Sequence, residues 1–113
     1  MAVIAVLTNL PDSESAFNLA RHLVRARLAA CASVLAPATS IYRWEGREEE
    51  SRETPLLIKT TRERYAEVEK AIRERHPYEL PEIIALPVEQ GFENYLGWVT
   101  AECKAPADSA PSP

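Results

Sequence analysis

The chain has 113 residues, 46% of them apolar and 27% charged, with a formal net charge of −4. That length gives one domain with a modest core, expected over residues 1–103, and leaves no room for a second. The acidic balance lacks the basic footprint that phosphate backbones require, so no nucleic-acid partner is expected.

The opening MAVIAVLTNL is apolar but too short for a membrane span. It also lacks the basic start and cleavage site of a secretory leader, so the expectation is a cytoplasmic protein with no membrane attachment. Ala2 to Thr8 reads as a buried strand. Asn9-Leu10-Pro11-Asp12-Ser13 carries turn and N-cap chemistry. From Ser13 to Leu28 the residues Ala16, Ala20, Leu23, Val24 and Leu28 recur at helical spacing, which predicts an amphipathic helix.

Cys31 to Glu45 is rich in β-branched and aromatic residues and predicts a strand with a break or bulge near Pro37. Trp44-Glu45-Gly46-Arg47 predicts a hairpin turn. The returning strand is polar at Glu48-Glu49-Glu50 and apolar at Leu56-Leu57-Ile58, so its first half is expected to project beyond the core. A second helix starts near Thr61, turns Tyr65, Val68 and Ile72 inward and must end at Pro77. Ile83 to Val88 reads as the last core strand. Asn94 to Cys103 has helical spacing in Tyr95, Trp98 and Val99, with Gly97 a weak point. Residues 104–113, KAPADSAPSP, have almost nothing to bury and predict a disordered tail.

The order strand, helix, strand, strand, helix, strand, with an added helix, predicts an α+β, ferredoxin-like (βαββαβ) fold with helices on one face of an antiparallel sheet. Cys31 and Cys103 form no C-x-x-C pair, and no disulfide between them is expected in a reducing compartment.

The blocks ARHLVRARLAACASVL, TSIYRWEG, PLLIKTT, HPYELPEIIALPV and NYLGWV, in that order, closely resemble the CutA divalent-cation tolerance family. The resemblance runs over residues 2–100, with Ser33 standing where the family often has asparagine. It implies a tight homotrimer akin in architecture to PII signalling proteins. It further implies a cytoplasmic protein tied to tolerance of copper and other divalent metals. The hairpin supplies an independent reason for assembly, because an open aromatic-bearing edge invites pairing with another copy.

His76, Glu79 and Glu82 are the first metal candidates, since imidazole and carboxylate suit Cu(II) or Zn(II). The alternative is structural, with the prolines shaping a helix-to-strand turn and His76 capping the helix. Cys31 offers a soft thiolate for copper or, alternatively, a small buried hydrophobe. Cys103, near the tail, is a weaker candidate, and His22 is expected to be solvated. Tyr42, Arg43, Trp44 and Glu45 read either as an interface or as a pocket for a small anion or planar ligand. No nucleophile elbow, phosphate loop or metalloprotease helix is present, so no enzyme and no organic cofactor are expected. The functional expectation is a metal-binding homotrimer, copper first and zinc as the alternative. The rival is a PII-like small-molecule sensor with its ligand in the clefts between subunits.

Overall fold

The structure, a computed structural model, describes residues 2–104. All of the expected tail except Lys104 therefore lies outside the described residues. The elements are β1 (Val3–Leu10), α1 (Ser13–Arg25), β2 (Cys31–Val34), β3 (Ala38–Trp44) and β4 (Arg47–Thr61), then a 3-10 turn (Arg62–Arg64), α2 (Tyr65–Arg75), β5 (Ile83–Pro87) and α3 (Glu93–Glu102).

The sheet runs β2-β4-β1-β5, every pair antiparallel, with β3 continuing alongside β4. Taking β2 and β3 as one interrupted strand, this is the order of two interleaved βαβ units expected from the sequence. The interruption is a bulge. Val34 faces Leu56 and Ala38 faces Glu53, so residues 35–37 oppose only residues 54–55. Pro37, which has no N–H to donate, sits in the segment where the ladder is broken.

Beyond the bulge β1 no longer accompanies β4, and residues 38–53 form a two-stranded ribbon. Glu45 (φ 51°) and Gly46 (φ 80°) both adopt positive φ, the signature of a type I′ turn. The ribbon carries the polar half of β4 away from the core, as its three glutamates require.

The core lies between the sheet and the first two helices. Ile4, Val6, Leu10, Leu56 and Ile58 meet Ala16, Leu19, Ala20 and Leu23 of α1 and Val68, Ala71 and Ile72 of α2. Each fully buried Leu or Ile there contributes about 1.5–3 kcal/mol of transfer free energy. Val24, expected inside, is 42% exposed, while Leu19 takes an inward position instead.

The start of α1 follows its sequence signal: Asp12 accepts a hydrogen bond from the Ser15 N–H at 2.7 Å. Its end does not, stopping at Arg25 rather than Leu28. The Leu28 N–H reaches the Leu23 carbonyl and the Arg27 N–H the Val24 carbonyl, which is a Schellman motif. The left-handed position belongs to Arg27 (φ 60°), where glycine is usual. Its guanidinium donates to the carbonyl oxygens of Lys104 (Nε, 3.0 Å) and Ala101 (Nη2, 3.4 Å). The side chain thus ties the end of α1 to the end of α3, which glycine could not do. Arg64 adds a second tie, from Nε to the Cys103 carbonyl at 2.6 Å.

The expected last core strand, β5, is an edge strand. Ile83 packs on the core, but Ile84 and Leu86 are about half exposed. In α3 only Val99 of the three expected residues is buried. It joins Val3, Ala30 and Cys103 in a small second cluster, while Tyr95 and Trp98 stack on each other outside.

Candidate functional site

Pro77 ends α2, and the chain crosses to β5 through residues 76–82. His76 anchors that crossing. Its backbone N–H completes the helix by donating to the Ile72 carbonyl at 2.8 Å. The Tyr78 N–H donates to Nδ1 at 3.2 Å, so Nδ1 is the acceptor and Nε2 carries the proton. Nε2 then donates to the Asn9 carbonyl at 2.6 Å. The ring is 9% exposed and lies against Tyr78, centroids 4.7 Å apart. Both ring nitrogens are committed to pinning the connector to the end of β1.

Asn9 serves both sides of this junction, because its Nδ2 donates to Glu82 Oε1 at 2.9 Å. Glu79 is exposed and stands where the main cleft meets a smaller groove lined by Lys70, Arg73 and Glu74. Cys31 is elsewhere. It opens β2 opposite Lys59, at the level of Ala5, whereas Asn9 pairs with Pro55. Four residues of strand separate the two levels, about 13 Å. The Cys31 thiol is half-buried and lies 3.9 Å from the Ser33 hydroxyl. Cys103 is buried beneath α3, its thiol 3.6 Å from the Thr60 hydroxyl. Both cysteines are free, and His22 is half-exposed on α1. Among the described residues no three His, Cys, Asp or Glu side chains stand close enough to share a metal ion. His76, Glu79 and Glu82 share a connector but do not converge, and Cys31 is remote from all three.

The connector and the ribbon, weighed separately in the sequence, enclose one cleft of about 870 Å³. Asn9, Tyr78, Glu79, Leu80 and Glu82 line one side, and Ser40, Tyr42, Trp44, Ser51 and Glu53 the other. Strand alternation explains the second set. Ser40, Tyr42 and Trp44 are two apart on β3, and Ser51 and Glu53 share their face through the pairs Ser40–Ser51 and Ala38–Glu53. The Tyr42 and Ser51 hydroxyls hydrogen-bond at 2.7 Å. Arg43, although its segment borders the cleft, belongs to the opposite ribbon face and pairs across from Glu48. Arg43 nonetheless stands with Tyr42 and Trp44 among the residues that line the cleft.

Burial, followed by hydrogen bonding to the Glu53 carboxylate and that group's charge, pushes the Tyr78 phenol up to about 12, with smaller contributions from Tyr42 and Asp12. Tyr78, Asn9, Ser51 and Glu53 escaped the sequence reading. Tyr78 sits inside the HPYE block and could have been found there. Nothing local marks Asn9 or Glu53, whose roles come from the junction of β1, β4 and the connector.

Residues 4–102 match the family model described as CutA1 divalent ion tolerance protein. The divalent-cation tolerance protein CutA of Thermus thermophilus is 43% identical over 83% of this chain and 91% of its own length. The CutA protein of Yersinia pestis is 42% identical over 87% and 82%. Among solved structures, the T. thermophilus protein superposes with a TM-score of 0.87 at 40% identity, covering 88% of this chain and 97% of that one. A CutA from Archaeoglobus fulgidus, described as periplasmic, gives 0.87 at 31% identity over 90% and 99%. With sequence, strand order and superposition in agreement, the chain belongs to the CutA1 divalent ion tolerance family.

Proposed function

We propose that the protein is a cytoplasmic, homotrimeric divalent-cation tolerance protein that acts by binding metal ions rather than by catalysis, with copper the first candidate and zinc the second. One observation carries the reading: residues 4–102 match the divalent ion tolerance family, and the curated relatives at 42–43% identity are named divalent-cation tolerance proteins. The proposed site is one shared between neighbouring copies. The groups left to take a metal are the Cys31 thiol, the exposed Glu79 carboxylate and the second oxygen of Glu82. A soft thiolate suits copper, as Cu(I), and zinc alike.

Assembly is supported by the sheet face turned away from α1 and α2. There Leu57, Leu7 and Ile84 form one cross-strand row, and Lys59, Ala5 and Leu86 the next. Those rows, apolar except for Lys59, and the backbone N–H and C=O groups along the outer edge of β5 are surface that closed symmetric association buries. Two free thiols suit a reducing compartment.

Calorimetric titration of tag-free protein with Cu(II) and Zn(II) tests the proposal. Saturable copper binding that weakens in Cys31→Ser is expected. No saturable binding of either ion refutes it.

A second reading, a PII-like small-molecule sensor, is favoured by the 870 Å³ cleft, which is far larger than a metal ion needs. It predicts a thermal shift with a small-molecule ligand, and loss of that shift when the cleft wall is changed by Tyr42→Leu.

A further inference from the structure

We draw no further inference here: the strongest candidate, the shallow groove between α1 and β2 lined by Phe17, Val24, Ala32 and Val34 and rimmed by Arg21 and Arg25, is an unpartnered apolar face, and nothing in the structure shows what covers it.

Discussion

His76→Ala separates a structural from a metal-binding histidine more sharply than any other single change. The substitution removes the Nε2–H donor to the Asn9 carbonyl and the Nδ1 acceptor for the Tyr78 N–H. Each hydrogen bond is worth about 1 kcal/mol net, and the partners left behind are partly buried. Loss of the ring from a position 9% exposed, together with its contact to Tyr78, adds about 1 kcal/mol. The expected destabilisation is about 3 kcal/mol, with no change in denaturant dependence because the fold's buried surface is nearly the same. His76→Gln can still donate to Asn9 and is expected to cost roughly half as much. Urea melts followed by circular dichroism at fixed protomer concentration provide the comparison, since association couples stability to concentration. A loss below about 0.5 kcal/mol, within the range of ordinary surface changes, refutes the clamp. A stable His76→Ala protein with diminished copper affinity shows the ring to be a ligand instead.

Gly97 is exposed within α3, and a Cβ there meets nothing within 4 Å. Gly97→Ala is therefore expected to stabilise the protein by about 0.5–1 kcal/mol in the same melts, and destabilisation contradicts the helix geometry. Thr8 is fully buried and its hydroxyl has no partner among the described residues, so Thr8→Val is expected to add about 1 kcal/mol; a loss instead points to a hydrogen bond at that hydroxyl. The Tyr78 phenol ionises near 10.0 when unperturbed and near about 12 in the fold. Because the folded value is the higher, its contribution to stability is intact below about pH 10 and is lost as pH climbs toward about 12. Tyr65 is shifted in the same direction by burial and by Glu69. Tyr78→Phe is expected to flatten the alkaline decline, and an identical slope in the variant removes Tyr78 as its source.

The parts of the fold that local chemistry dictates were legible in the sequence. Asp12 caps α1, Gly46 permits the I′ turn, and Pro77 ends α2. The early end of α1 was not legible, since Arg27 holds a left-handed conformation for the sake of carbonyls on a helix some seventy residues later. Apolar runs also misled. IIALP reads as a core strand because Ile84 and Leu86 are aliphatic, yet they occupy a sheet edge and its open face. At the candidate site the residue types were visible but their grouping was not. The two-residue period of a strand sets Arg43 on the alternate ribbon face from Tyr42 and Trp44, although all three border the one cleft. Glu53 acquires its setting only where the ribbon leaves the sheet opposite the connector.

Copper titration of the wild-type protein beside Leu86→Glu, with mass read by light scattering, tests most directly whether the metal site belongs to the assembly. Leu86→Glu places a charge on the open sheet face, which is expected to break association while far-UV circular dichroism keeps its folded shape. The wild type is expected at about three times the mass of one chain with saturable copper binding, and the dissociated variant to lose that binding. A folded single chain that binds copper with wild-type affinity, or a wild type that is already a single chain, contradicts it.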